Sequence, residues 1–105
     1  MGTFQTSSGE RLSKANIDAN IRVAKSVFIT ENQDKQYCWA CGKSNVRLSC
    51  SHIISVNKCQ NEGKCEAAYD TNNLELLCID CHLDYESTKK MNARRKKYIA
   101  FYKSL

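Results

Sequence analysis

The sequence predicts a small α+β domain, and three observations carry that prediction. Two Cys-x-x-Cys pairs, Cys38 with Cys41 and Cys78 with Cys81, stand on either side of a long interval. Just inside each pair lies a short run of strand length, over residues 46–50 and 74–77. Helical periodicity occupies the stretches before the first pair and after the second.

At 105 residues the chain has room for one small domain, and a core of that size is marginal on hydrophobic burial alone. The seven cysteines point to a further means of support. No segment has the charged start, apolar middle and small-residue cleavage site of a secretory signal, so a reduced, metal-binding use of cysteine is expected over a disulfide framework. The odd count agrees. No window approaches the roughly 20 apolar residues of a membrane span. A soluble cytoplasmic protein with no membrane partner is the expectation, with a flexible N-terminal segment over 1–12 and a single domain over 13–105.

Taken in order, residues 1–12 are rich in Thr, Ser, Gly, Gln and charge and read as a lead-in with little order. Ser13 can cap a helix over residues 14–30, where Ile17, Ile21, Ala24 and Phe28 recur at three- and four-residue steps. Its other face carries Lys14, Asp18, Arg22 and Lys25, and it reads as a packing helix that enlarges a small core. After a polar connector over 32–36, residues 37–42 form a tight turn with two sulfurs facing inward, and Gly42 suits the position just past it. Residues 46–50 follow as a strand, with Val46 and Leu48 on one side and Arg47 on the other. Residues 53–72 lack a long periodic pattern and read as an excursion with one helical turn near 66–69. Residues 74–77 make the second strand, and two short strands so joined are not stable alone. From residue 79 or 80 the pattern is helical and continues to 102. Leu83, Ser87, Met91, Arg94 or Arg95, Tyr98 and Tyr102 line one stripe, and lysines and arginines fill the remainder.

Charge is divided along the chain. The net +5 arises from nine basic and eleven acidic side chains over residues 1–86, against seven basic and no acidic ones over 87–105. Positive charge concentrated in this way fits a polyanion partner better than an even spread.

Four thiolates arranged as two Cys-x-x-Cys pairs meet the tetrahedral requirement of zinc. An ion held by Cys38, Cys41, Cys78 and Cys81 would close the hairpin and fix the last helix onto it. Such a site has no open position, so it is structural and cannot activate water; catalysis needs a second ion. Cys50 reads as a small buried hydrophobe. Cys59 and Cys65 read as packing residues, with a second metal or a disulfide as the alternatives.

A polar constellation lies between the pairs. His82 and Glu86 are four apart on one helical face, so an imidazole and a carboxylate can point at one divalent ion. His52 ends the first strand and is expected to face them across the hairpin, a suitable place for a base. His82 as an alternative zinc ligand is the competing reading.

The strings that carry these residues are Cys38-x-x-Cys41, then Leu48-Ser49-Cys50-Ser51-His52-Ile53-Ile54, then Asn73-Leu-x-x-Leu-Cys78-x-x-Cys81-His82. Together they resemble the zinc-containing form of the HNH endonuclease family, over residues 37–90. The resemblance implies a ββα-metal (His-Me finger) core with a four-cysteine structural zinc, flanking N- and C-terminal helices and a basic C-terminal helix over 80–102. It implies metal-dependent hydrolysis of phosphodiester bonds in DNA. The family's general base falls on His52, the asparagine that orders the long loop on Asn73, a metal ligand on His82 and a further ligand on Glu86. At Ser51 the sequence departs from the family, which usually has an acid or a histidine there as a metal ligand. A neutral hydroxyl is a poorer ligand, and the ion would then rely on His82, Glu86, water and substrate phosphate, with Ser51 or Asn73 as a further donor.

On this reading a neutral His52, with a usual pKa of about 6.5, takes a proton from water. A Mg²⁺-class ion serves the phosphate and the 3′ leaving oxygen, and the products carry 5′-phosphate and 3′-hydroxyl ends. A backbone carbonyl of the long loop is expected to polarise the other nitrogen of His52. Lys89, Lys90, Arg94, Arg95, Lys96 and Lys97, with Lys103, are expected to hold the backbone of DNA, the double-stranded form in particular. Asn57, Lys58 and Lys64 are further candidate contacts, and Tyr98, Phe101 and Tyr102 read as packing residues. Such compact nucleases resemble those of phages and mobile elements, which places the expected site of action in a bacterial or phage-infected cell, alone or in a larger DNA-processing assembly. The alternative is a non-catalytic, zinc-stabilised nucleic-acid-binding module. A protein–protein adaptor leaves His52, Asn73 and His82 unexplained.

Overall fold

Ser13 ends a strand and opens a helix, and the fold grows outward from that junction. The computed structural model describes residues 2–83 and 93–105. Ser13 is extended, and its Oγ accepts the Asn16 N–H at 3.2 Å, satisfying one of the free donors of the first turn of α1 (Lys14–Glu31). Ile17, Ile21, Ala24 and Phe28 form the buried stripe of α1, as their spacing predicts. The helix stops at Asn32, whose Nδ2 donates to the Phe28 carbonyl at 2.7 Å.

The N-terminal lead-in is not the loose segment expected. β1 (Thr3–Gln5) and β2 (Arg11–Ser13) pair antiparallel, with Phe4 opposite Leu12. The polar residues that read as disorder build the turn: the Thr6 N–H donates to the Glu10 carbonyl at 2.7 Å, the Glu10 N–H to Thr6 Oγ1 at 3.0 Å, and Gly9 takes a φ of 94°. The Ser7 N–H and hydroxyl both donate to the Glu66 carboxylate, which ties the hairpin to the middle of the chain. Phe4 and Leu12 pack on the main core.

The central hairpin joins β3 (Leu48–His52) to β4 (Leu74–Cys78), in register from Leu48 opposite Cys78 to His52 opposite Leu74. β3 lies two residues later than expected, so Val46 is outside it and exposed. Leu74, Leu76 and Cys50 pack against Ala24 and Phe28 of α1. The outer edge of β4 is covered: the Leu76 carbonyl accepts the Trp39 N–H at 2.8 Å, and the Leu74 carbonyl accepts from Arg94.

The excursion between these strands is ordered throughout. It contains α2 (Val56–Asn61), capped by Ser55, and two short 3₁₀ turns, Cys65–Tyr69 and Thr71–Asn73. The first of these corresponds to the single helical turn expected near 66–69. Ile53, Ile54, Cys59, Cys65, Ala67 and Ala68 are buried here and form the main core with Ile17 and Ile21 of α1 and Tyr98 and Tyr102. Cys59 and Cys65 are free thiols that donate to the carbonyls of Ile54 and Phe4, and burial pushes Cys59 up to about 12. They pack; they do not pair.

β4 runs directly into α3 (Ile79–Leu83), and α4 (Ala93–Ser104) closes the chain. Both overlap the helical pattern expected over 80–102, α3 starting one residue before it and α4 ending two residues after it; residues 84–92, with Ser87 and Met91, lie outside the described residues. The Tyr98 hydroxyl donates to Asp70 at 3.1 Å and the Tyr102 hydroxyl to Glu62 at 2.7 Å, so both buried rings satisfy their polar ends. Among the described residues no helix is long and apolar enough to cross a membrane.

Candidate metal centre and active site

The first knuckle is shaped by its backbone. The Gly42 N–H donates to the Cys38 carbonyl at 2.8 Å, and Gly42 adopts a φ of 80°, the left-handed conformation that glycine takes without strain. The second knuckle is the β4–α3 junction, where Cys78 ends the strand and Cys81 lies on the helix. The four sulfurs of Cys38, Cys41, Cys78 and Cys81 lie within 4.8 Å of one another. Cys41 Sγ and Cys78 Sγ are 3.7 Å apart. A tetrahedron with zinc–sulfur bonds of about 2.3 Å has edges of about 3.8 Å, so the donor set fits a structural zinc ion.

The electrostatics agree with that fit. Burial penalises a Cys38 thiolate, but hydrogen bonds from the backbone of Cys78, Cys41 and Ala40 outweigh it and lower its pKa to about 6. Burial and the neighbouring sulfurs push Cys81 up to about 12. A divalent cation bound among the sulfurs would offset the repulsion that, after burial, raises Cys81.

The knuckle also places α3 against β3. Ser51 Oγ and His82 Nδ1 are 2.7 Å apart, with Ser51 buried and His82 exposed. These two expected metal ligands are therefore brought together. Glu86, the third, lies outside the described residues.

His52 is the next residue along β3, and its partner is different. Its Nε2 donates to the Ala68 carbonyl at 2.8 Å. A carbonyl only accepts, so the proton is on Nε2 and Nδ1 keeps the lone pair. This is the backbone carbonyl of the long loop that the sequence reading called for. Burial lowers the pKa of His52, and Lys25 adds to the effect, against the hydrogen bond to Ala68, which raises it. The hydrogen-bond partners of the two histidines differ, Ala68 for His52 and Ser51 for His82.

Asn73 holds the loop that holds His52. It is fully buried; its Oδ1 accepts the Ile54 N–H at 2.7 Å, and its Nδ2 donates to the carbonyls of Ile54 at 3.0 Å and Ala67 at 2.9 Å. Its amide is committed to the backbone of the loop through these three bonds.

The expected cationic surface needs correction. Arg95 is only 4% exposed and forms a two-pronged ion pair with Glu75, itself 1% exposed, through contacts of 2.9 and 2.7 Å. It is a core residue, because the helical stripe that buries Tyr98 and Tyr102 also turns Arg95 inward. Arg94 is half-buried, bonded to the carbonyls of Leu74 and Thr71 and stacked 4.7 Å from the Trp39 ring. Lys64 donates to the Tyr102 carbonyl and lies over that ring, so it too serves the fold. Lys96, Lys97 and Lys103 remain exposed, and Lys89 and Lys90 lie outside the described residues. Sequence reasoning missed the Glu75–Arg95 pair; the available signal was a lone acid in a strand of otherwise apolar residues.

A β-hairpin that leads directly into a short helix, pinned at the junction by four metal-binding sulfurs, has the form of a ββα-metal core. The family model described as HNH endonuclease matches residues 36–88, half of the chain, and the protein belongs to that family. Membership, with the cysteine cluster, makes it in general terms a metal-dependent nuclease that interacts with DNA. No curated protein and no solved structure matches the chain.

Proposed function

We propose that the protein is an endonuclease that hydrolyses phosphodiester bonds in double-stranded DNA, with His52 as general base. The observation that carries this reading is the bond from His52 Nε2 to the Ala68 carbonyl, which leaves Nδ1 as the acceptor. Nδ1 takes a proton as the water oxygen bonds to phosphorus and the bond from phosphorus to O3′ breaks. The 3′ oxygen then takes a proton from solvent, giving 5′-phosphate and 3′-hydroxyl ends. The Ala68 carbonyl, facing the Nε2 proton, steadies the positive charge that His52 acquires.

His82 and Ser51, with Glu86, are the residues proposed to hold a divalent ion of the Mg²⁺ class. Such an ion, when bound, supplies charge neutralisation at the scissile phosphate and the leaving oxygen. Asn73 keeps the Ala67–Ala68 segment in place and so orients His52 at one remove. Lys89, Lys90, Lys96 and Lys97 are proposed to meet the phosphate backbone. The protein is proposed to act as one domain in the cytoplasm of a bacterial or phage-infected cell.

One observation favours a second reading. Ser51 is a neutral donor engaged with His82 Nδ1, which suits a zinc-stabilised module that binds nucleic acid without cutting it. Supercoiled plasmid separates the two. The nuclease predicts nicking or cutting that needs added Mg²⁺ or Mn²⁺ and disappears in His52→Ala while zinc content is unchanged. Intact plasmid with the wild-type protein across Mg²⁺, Mn²⁺ and Ni²⁺ would overturn it.

A further inference from the structure

Two cavities, of about 420 and 330 Å³, open beside the covered edge of β4, and Arg94 and Asn72 line both. They adjoin at these two residues, and their combined lining makes a groove that reaches from the connector after α1 to α4. Each is within the range of about 300–1,000 Å³ typical of small-molecule sites. Neither is lined by His52, Ser51 or His82.

The groove joins flat surfaces to positive charge. Tyr37 stands 41% exposed at one end and Phe101 48% exposed at the other. Between them Arg94 lies against Trp39, its ring centroid 4.7 Å away, and hydrogen bonds to two carbonyls lock the guanidinium there. Lys35 lines the first cavity and Lys97 the second, so three cations stand against one carboxylate, Glu31. Exposed rings next to fixed and mobile cations are the chemistry that binds unpaired nucleotides. Bases stack on aromatic and guanidinium planes while lysines meet the phosphates. A duplex, with its bases already stacked inside, has no use for such planes.

We propose that this groove binds single-stranded DNA, with bases stacked along Tyr37, Arg94 and Phe101 and phosphates on Lys35 and Lys97. The assignment uses none of the residues placed at the cleavage centre and shares only Lys97 with the backbone contacts proposed above. It gives the protein a grip on a frayed or displaced strand.

Trp39 is the only tryptophan and sits under the stack, so its fluorescence reports occupancy directly. Full-length protein is titrated with oligothymidine, with a duplex of the same length and with thymidine monophosphate, without added divalent ion. Saturable quenching by oligothymidine, at least about tenfold tighter than by the duplex, is expected, and the single variants Tyr37→Ala and Lys97→Glu should each weaken it by roughly five- to tenfold. Thermal melting and zinc content establish that the variants are folded. Phe101→Ala, at an exposed position, provides a second route if one variant fails to fold. Unchanged fluorescence, equal affinity for duplex, binding of the monophosphate as tight as the oligomer, or folded variants that bind like wild type would each overturn the proposal. Plasmid cleavage by Tyr37→Ala at the wild-type rate reads the catalytic centre separately.

Discussion

His52 and Ser51 are neighbours in sequence, yet their side chains engage different elements: His52 the loop at Ala68, Ser51 the helix α3 at His82. The environment of His52 has a kinetic consequence. Burial holds its pKa below the usual 6.5, and the base is active only when neutral, so kcat/KM should rise with pH and reach a plateau by about pH 7. Below the pKa it should fall tenfold per pH unit. A pH–rate profile on plasmid, at fixed excess of divalent ion, checks this; an acid limb centred above pH 7 would exclude His52 in this state as the base.

At the scale of elements, the parts legible in the sequence were those with a local geometric cause. Cys-x-x-Cys spacing, the Ser13 cap and the three- and four-residue steps of α1 each fix structure within one or two turns, and each appears as read. The N-terminal hairpin was not legible, and of the 53–72 excursion only the turn near 66–69 was. Their order comes from partners far along the chain: Ser7 with Glu66, the buried alanines of the excursion with α1, Asn73 with Ile54 and Ala67. Around the candidate site most side-chain contacts were not readable; no local rule tells that Arg95 turns inward while Lys96 and Lys97 turn out. That difference is testable. Arg95→Met should destabilise the fold by about 3–5 kcal/mol, because Glu75 is left buried with its charge uncompensated. Adding Glu75→Leu should recover most of the loss. Urea unfolding of both variants measures it, and an Arg95→Met protein as stable as wild type would show that the pair does not bind α4 to the hairpin.

At the scale of the whole molecule, the metal cluster joins the connector after α1 to β4 and to α3, the helix that carries His82. Structural zinc in small domains binds with about 10–16 kcal/mol, against total stabilities of about 5–15 kcal/mol. Stripping the ion should therefore unfold the hairpin region rather than loosen it. Addition of a strong chelator is expected to abolish the cooperative thermal transition and the DNA interaction together, both returning with zinc. Retention of the full transition after metal analysis shows no zinc would contradict a structural role for the cluster.

The sealed rim of β4 bears on how the protein behaves among its own copies. An unguarded strand margin is a template on which further chains can add. Here the carbonyls of Leu74 and Leu76 are already taken by Arg94 and by the Trp39 N–H, so the two-stranded sheet cannot lengthen on that side. Crowded along a polyanion, neighbouring molecules are thus denied one common route to fibrils.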